Sequence, residues 1–158
     1  MEQEAVLKIL QNSNLFTGLG TEYISTIFKS GETNVLHKGD TAIKEGQKNH
    51  DIYIVLSGVL EIVLPKQINS MERVAKVELS VIGPGEWAGE YSLIDKKPAS
   101  ASVIACVKSE VFVLSRDTFK RLLNADHFLA QTVYSNLLQV LVGKIRIFVK
   151  EADAFCFI

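Results

Sequence analysis

Cysteine and histidine are both scarce in this sequence. The 158 residues include two cysteines, Cys106 and Cys156, which are too few for a disulfide-stapled scaffold. Cys106 lies in an apolar run, where we expect a reduced, buried thiol. The three histidines, His37, His50 and His127, are widely spaced and form no metal-binding pattern. We also find no Ser-His-Asp set and no Walker-type phosphate loop, so an enzyme is not expected.

A strong net charge and a long apolar run are absent as well. The formal net charge of -1 provides no basic field that would attract nucleic acid or an anionic membrane. No apolar run approaches the roughly 20 residues that span a bilayer, and the N-terminus shows no signal-peptide pattern. We therefore expect one domain, 1–158, located in the cytoplasm and without a membrane span, and we assign no catalytic or metal-binding residue.

Along the chain, helical spacing gives way to β-strand spacing. Apolar positions predict a helix over 2–11 and a second helix that Thr21 caps and Gly31 ends. From Thr33 to Leu114, short runs of β-forming residues alternate with turn residues, which is typical of a sandwich or barrel. The predicted fold is therefore mainly β with flanking helices.

Helical spacing returns at the C-terminal end. Ser115 is the predicted cap of a short helix, and Asn124 or Asp126 caps a last helix that runs to about Lys150. The chain thus divides into N-terminal helices (1–30), a β-roll (31–114) and C-terminal helices (115–150).

The last helix carries more apolar surface than one contact with its own domain needs. One stripe consists of Tyr134, Leu138, Leu141, Ile145 and Phe148. The other consists of Val133, Leu137, Val140 and Ile147, and Lys144 interrupts it. We expect a homodimer through the 126–150 helix, or docking of another protein. The apolar chain end, 154–158, docks on the roll or on a partner, or reflects where the chain was cut, and the sequence leaves these alternatives open.

The segment Gly83–Val103 combines glycines with polar residues. Three glycines in seven residues allow a tight turn and a close approach of the backbone to a ligand. Gly89 and Glu90 precede a run that can form one helical turn, whose free amides favour an anion. Glu90 can accept hydrogen bonds from a ligand hydroxyl, and Ser100 and Ser102 offer hydroxyls of their own. The segment therefore predicts a small cradle for a phosphate and a sugar.

This segment resembles the phosphate-binding cassette of cyclic-nucleotide-binding domains, which occur in the bacterial cAMP receptor protein, protein kinase A regulatory subunits and nucleotide-gated channels. The family pattern runs Gly-Asp/Glu-x-x-Gly-Glu-Leu/Ile-Ala/Ser-Leu-Leu/Ile, then three variable residues, then Pro-Arg-x-Ala-Thr/Ser-Val. Residues in register with it are Gly85, Glu86, Gly89, Glu90, Ser92, Leu93, Ile94, Pro98, Ala101, Ser102 and Val103. Segments 37–40, 45–46, 51–58 and 114–123 also resemble the family, so the likeness extends over about 16–148.

The resemblance implies a jelly-roll β-roll (a double-stranded β-helix) with N-terminal helices and a long C-terminal helix. It also implies that Glu90 binds the ribose 2′-hydroxyl and that amides near Gly89, Glu90 and Ser100 meet the cyclic phosphate, with Ser100 adding a hydroxyl contact. Residues of the last helix are expected to cap the base. The candidate ligand-binding residues are Gly89, Glu90, Tyr91, Ser92, Ala99, Ser100 and Ala101.

Two positions depart from the family pattern. Ala99 stands where the family has the arginine that holds the phosphate, so the cassette is degenerate. Such a contact is charge-assisted, and its loss costs about 1.5–3 kcal/mol, or roughly tenfold to a hundredfold in affinity. Tyr91 replaces the usual Leu or Ile. Lys96 or Lys97 can substitute as a point charge, although such a pair is more often part of a solvated loop.

Two functions follow from these observations. The first is a stand-alone, non-enzymatic regulatory module that binds cAMP or cGMP weakly, or a related ligand such as a nucleoside, and signals through its C-terminal helices to another protein. The alternative is a degenerate module that binds no nucleotide and serves dimerisation or protein docking. Only eight residues follow Lys150, which leaves no room for a DNA-reading element, so direct DNA binding is not expected.

Overall fold

The computed structural model of the chain describes residues 1–48, 50–68 and 71–155. The side chains of the apolar end, 154–158, lie outside the described part. The helices are α1 (Gln3–Asn12), α2 (Thr21–Lys29), α3 (Tyr91–Ile94), α4 (Arg116–Ala125) and α5 (His127–Phe155), with a 3-10 turn at Asn14–Phe16. The strands are β1 (Glu32–Leu36), β2 (Thr41–Ile43), β3 (Ile52–Ser57), β4 (Leu60–Leu64), β5 (Gln67–Ile68), β6 (Met71–Glu72), β7 (Val77–Ile82), β8 (Trp87–Ala88), β9 (Ser102–Ala105) and β10 (Ser109–Leu114).

Two antiparallel sheets of four strands form the roll within the described residues. Their strand orders are β1-β10-β3-β8 and β2-β9-β4-β7, and β5 pairs with β6 in a separate two-stranded sheet. The register places Glu32 opposite Val113, so that the last strand of the roll closes against its first. The predicted jelly-roll class, with N-terminal helices and a long C-terminal helix, is confirmed.

Apolar residues of the roll bury against two different layers. Ile52 and Ile54 of β3 face the helices, in what we call the helix-side core, whereas Val55 faces the opposite sheet. Alternate residues of a strand point to opposite faces, which explains why this run is continuously apolar. On the helix side, Phe16 and Phe119 pack edge to face with ring centroids 6.2 Å apart. The helices therefore hold one face of the roll firmly.

Side-chain caps begin the two C-terminal helices. The Ser115 hydroxyl accepts a hydrogen bond from the Thr118 amide at 3.4 Å, as predicted. The Asp126 carboxylate accepts one from the Leu129 amide at 2.9 Å and so caps α5. These contacts fix the point at which α5 leaves α4, and α5 then runs beyond Lys150 to Phe155.

The predicted cap of α2 is wrong. Thr21 is the first helical residue, and the cap position is Gly20, which makes no side-chain capping bond. The Gly20 carbonyl accepts hydrogen bonds from the amides of Tyr23 and Ile24 at 3.1 and 3.2 Å. The backbone therefore starts this helix without help from the Thr21 hydroxyl.

The environment of Cys106 differs from the expected one. Cys106 has a free thiol but is half-buried, so the expectation of a buried cysteine is wrong.

No helix among the described residues combines the length and the apolar content needed to cross a bilayer. No group of three or more His, Cys, Asp or Glu residues in the described part is placed to hold a metal ion.

Candidate ligand-binding site

A cavity of about 430 Å³ lies between the open face of the roll and the second half of α5. The roll contributes an apolar floor, the segment after β8 contributes polar groups, and α5 covers one side. Residues lining the cavity from the roll and its loops are Ile43, His50, Ile62, Leu79, Ser80, Ala88, Gly89, Glu90, Tyr91, Ala99, Ser100, Ala101 and Val103. Those from α5 are Lys144, Ile147, Phe148 and Glu151.

Gly89 brings the cassette backbone against Asp51, the residue before β3. Its φ of +99° is rarely adopted by residues with a side chain. A Cβ atom here would collide with the carbonyl oxygen of Asp51. Glycine is therefore required for the turn from β8 into α3, and that turn places Glu90 at the cavity.

Glu90 is a buried carboxylic acid on the cavity wall, with 7% of its surface exposed. Its Oε1 atom lies 3.8 Å from the Nζ atom of Lys144 on α5. Desolvation by burial raises the pKa of Glu90, whereas the amides of Glu90 and Gly89 and the charges of Lys144 and His50 act to lower it. The carboxylate is thus a hydrogen-bond acceptor at the junction of the roll and α5.

Tyr91 forms part of the rim beside Glu90 and is half-exposed. Burial and the nearby Glu90 carboxylate raise the pKa of its phenol. The ring therefore remains neutral and adds both an aromatic surface and a hydroxyl to the cavity mouth.

Ala99 is held in place through its backbone. Its amide donates to the Gln47 carbonyl at 2.9 Å, and its carbonyl accepts from the Gly46 amide at 2.7 Å. Its methyl group packs against the apolar cluster between the sheets. Where an arginine would supply charge, this wall is therefore apolar, although Ser100 and Ala101 beside it also line the cavity.

Ser92 is the predicted site residue that does not line the cavity. It is buried, and its hydroxyl contacts the carbonyls of Gly89 at 2.9 Å and His50 at 3.2 Å. Its own carbonyl accepts a hydrogen bond from Arg116 Nε at 2.9 Å. Ser92 therefore braces the cassette and joins it to the first residue of α4.

A comparison with protein families identifies the family of this chain. The family model described as the cyclic nucleotide-binding domain matches residues 33–126, which is more than half of the chain. The chain belongs to the cyclic nucleotide-binding domain family. The match includes the whole cassette and all of α4.

Individual members of the family show the same relationship. The chain is 28% identical to the cyclic AMP receptor protein of Thermus thermophilus over 144 residues, covering 91% of this chain and 61% of the receptor. It is 25% identical to the cAMP-dependent protein kinase regulatory subunit of Eremothecium gossypii over 125 residues, covering 79% of this chain and 25% of the subunit. The chain therefore spans less than two thirds of the length of either relative.

Solved structures of the family have the same architecture. The Thermus thermophilus catabolite activator protein superposes with a TM-score of 0.73 at 26% identity, covering 92% of this chain and 64% of that one. A cyclic nucleotide-binding domain from Methylobacillus flagellatus gives 0.74 at 25% identity, with coverages of 90% and 78%. The regulatory domain of Toxoplasma gondii PKA, solved with cAMP, gives 0.65 at 28%, with coverages of 77% and 45%.

The structure places the two candidate replacement cations away from the cavity. Lys96 and Lys97 are exposed, and neither is among the lining residues. Burial lowers the pKa of Lys120 on α4, and the charges of Arg116 and Lys96 lower it further. The wall at Ala99 therefore receives no charge from either lysine.

Two lining residues, His50 and Lys144, were not predicted from the sequence. His50 lies in the loop before β3 and has a buried Nδ1 atom without a hydrogen-bond partner in the described structure. In the sequence, Lys144 stands out only because it interrupts an apolar stripe of the last helix. That interruption was the available signal, since a lysine inside an apolar stripe is expected to face something other than a core.

Proposed function

We propose that this chain is a non-enzymatic regulatory module that binds a cyclic nucleotide, cAMP or cGMP, in the cavity and signals through α4 and α5 to a partner protein. Family membership supports the ligand class, and cAMP is the ligand in the related Toxoplasma gondii structure. The observation that carries the proposal for this chain is Glu90, a buried carboxylate that faces a cavity of about 430 Å³.

The chemistry of Glu90 suits a sugar hydroxyl. A buried acceptor that lies 3.8 Å from its charged neighbour, Lys144, has capacity for a further hydrogen bond. The apolar side chains of Ile147 and Phe148 lie on the same cavity and suit the flat face of a base. A cyclic nucleotide offers a hydroxyl and a base in one molecule.

Signalling in this proposal depends on the shared construction of the cavity. Because α5 provides part of the lining, a ligand that contacts both the roll and α5 favours one position of the helix over others. The hydrogen bond from Arg116 Nε to the Ser92 carbonyl connects the cassette to α4 as well. The proposed output is therefore a change in how α4 and α5 are presented to a partner.

Binding is expected to be weak because Ala99 supplies no charge. The missing charge-assisted hydrogen bond costs about 1.5–3 kcal/mol, which is roughly tenfold to a hundredfold in Kd. Titrations should therefore extend to millimolar cAMP and cGMP.

Calorimetry on the wild type, Glu90→Gln and Glu78→Gln tests the proposal. Glu78 is an exposed carboxylate of β7 that does not line the cavity, so it serves as the matched control. We expect the wild type and Glu78→Gln to bind alike, and Glu90→Gln to bind about tenfold more weakly. Absence of heat and of NMR shifts at millimolar concentrations of both nucleotides would reject the proposal.

A second candidate is a module that binds no nucleotide and associates with another copy of itself. The observation in its favour is the stripe Tyr134, Leu138, Leu141 and Ile145, which steps by four and three residues as a helix-pairing seam does. Tyr134, Leu138 and Ile145 are exposed in the single chain. The occupant proposed for this stripe is the same stripe of a second copy.

Light scattering at rising protein concentration tests the self-association. We expect a mass that approaches twice 17.5 kDa, and a loss of this increase in Leu138→Glu. Gln139→Glu is the control, because Gln139 is exposed on the same helix but lies outside the stripe. A mass of one chain at every concentration contradicts the second candidate. Cyclic-nucleotide binding by Ala99→Arg but not by the wild type would favour this candidate over the first.

A further inference from the structure

The charged groups of the cavity are few and unevenly placed. Among the described residues that line it, the carboxylates are Glu90 and Glu151, and Lys144 is the one lysine or arginine. Ala99, Ala101 and Val103 add apolar surface to the lining. A ligand that carries a phosphate therefore meets one permanent cation in this cavity, and that cation comes from α5.

Lys144 is placed to serve more than one partner. Its Nζ atom lies 3.8 Å from Glu90 Oε1, a distance at which the two charges attract without a short hydrogen bond. About half of the Lys144 side chain is exposed, so the flexible stem can shift the ammonium group without leaving a core. The ammonium group has three donors, and a carboxylate at this distance does not saturate them.

We propose that Lys144 is the phosphate-binding cation of this cavity and takes the place of the charge that Ala99 cannot supply. This inference rests on the proposed function. In a 3′,5′-cyclic nucleotide the phosphate ring is fused to the ribose, so the phosphate oxygens lie close to the sugar hydroxyl. A cation that already lies beside Glu90 is therefore within reach of the phosphate of a ligand whose hydroxyl Glu90 accepts.

An exchange of partners follows from this placement. Without ligand, Lys144 and Glu90 attract each other across the cavity. With ligand, Glu90 accepts the sugar hydroxyl and Lys144 donates to the phosphate, so each charged group keeps a partner inside the site. Because Lys144 belongs to α5, the helix supplies the positive charge that the phosphate meets. Binding of the phosphate charge and movement of α5 therefore occur together.

A purely electrostatic role for Lys144, in which it only neutralises Glu90, makes a different prediction. Glu90 would contact the sugar of adenosine as it contacts the sugar of cAMP. Loss of neutralisation would then alter binding of both ligands to a similar extent. A phosphate-binding role alters the binding of cAMP alone, because adenosine has no phosphate.

Titration of the wild type, Lys144→Gln and Lys150→Gln with cAMP and with adenosine separates these roles. Lys150 is an exposed lysine of the same helix that does not line the cavity, so its variant is the matched control. We expect Lys144→Gln to weaken cAMP binding about tenfold, to leave adenosine binding within about twofold and to lower the salt dependence of cAMP binding. Lys150→Gln should match the wild type for both ligands.

The double variant Ala99→Arg/Lys144→Gln adds a gain-of-function readout. An arginine in the cassette should restore cAMP binding that Lys144→Gln has lost. Unchanged cAMP affinity in Lys144→Gln, or an equal loss for cAMP and adenosine, overturns the assignment of Lys144 while the proposed function stands. A wild type that binds neither cAMP nor cGMP overturns the proposed function itself.

Discussion

The first half of α5, residues 127–140, packs into the helix-side core, whereas the second half, residues 141–152, lies over the cavity. Leu129, Val133 and Leu137 of the first half are buried. The Asn136 side chain adds hydrogen bonds to the carbonyls of Leu15 at 3.1 Å and Thr17 at 2.9 Å. Apolar burial and satisfied backbone carbonyls fix this half to the domain.

The second half of the same helix has a different environment. Val142, Ile145, Phe148 and Val149 are exposed, and a single long-stemmed residue, Lys144, approaches Glu90 of the cassette. Regions with little apolar burial open at low free-energy cost, and moving elements are drawn from such regions. One continuous helix thus combines a half that is anchored in the core with a half that has far less apolar burial.

Replacing one valine in each half with alanine compares how much each half contributes to the free energy of unfolding. Val133 is fully buried, so Val133→Ala should lower the free energy of unfolding by about 2 kcal/mol, from lost apolar burial and the cavity left behind. Val149 is exposed, so Val149→Ala should change it by less than about 0.5 kcal/mol. Urea unfolding of both variants measures the contrast, and equal costs would show that the two halves are equally fixed.

Replacing Gly143, at the junction of the two halves, should raise the stability of the protein by a smaller amount. Gly143 lies inside α5, and an added Cβ meets no atom within 4 Å. Gly143→Ala should therefore stabilise the protein by about 0.5–1 kcal/mol through helix propensity. Gly18→Ala is the control and should destabilise, because Gly18 has a φ of +89°. A thermal midpoint that falls in Gly143→Ala would indicate that the helix is interrupted at this junction.

The contact of Glu90 with Lys144, which joins the second half to the cassette, should also make the stability depend weakly on pH. Burial raises the pKa of Glu90 above its ordinary value of 4.5, although Lys144 and the amides of Gly89 and Glu90 oppose this. As pH rises above 4.5, the carboxyl group ionises first in the unfolded chain, which then binds fewer protons than the folded one. The contribution of Glu90 to stability is therefore present below pH 4.5 and is lost as pH rises through the folded-state pKa.

Glu90→Gln tests this sign because glutamine does not ionise. Relative to the variant, the wild type should lose stability between pH 4.5 and neutral pH. Unfolding curves of both proteins at each pH provide the measurement. Parallel pH profiles would mean that Lys144 and the amides fully offset the burial of the carboxylate.

Local chemistry made much of the fold predictable. The Ser115 cap depends on residues within three positions of one another, and Gly89 is required by one turn, so sequence spacing identifies both. Thr21 shows the limit of such reasoning, since a suitable side chain stands beside a backbone that starts the helix without it.

The site was predictable only where the cassette is continuous in sequence. Six of the seven predicted residues line one cavity, but whether they bind a ligand stays a prediction. Lys144 lies 54 positions after Glu90 along the chain, and its approach depends on the direction in which α5 leaves α4. No local spacing records that direction. The sequence did not predict that Ser92 lies behind the turn, because its burial depends on how closely the cassette approaches the residues before β3.

The pairing of β1 with β10 also has a consequence for how the chain acquires its structure. Glu32 pairs with Val113, so the sheet that supports the helices closes only after most of the roll has been synthesised. Pairing of residues so far apart in sequence costs loop-closure entropy before its contacts form, and such topologies fold in milliseconds to seconds. During synthesis the apolar residues of β3 must therefore wait for β10, and we expect this interval to be the period of greatest risk of aggregation.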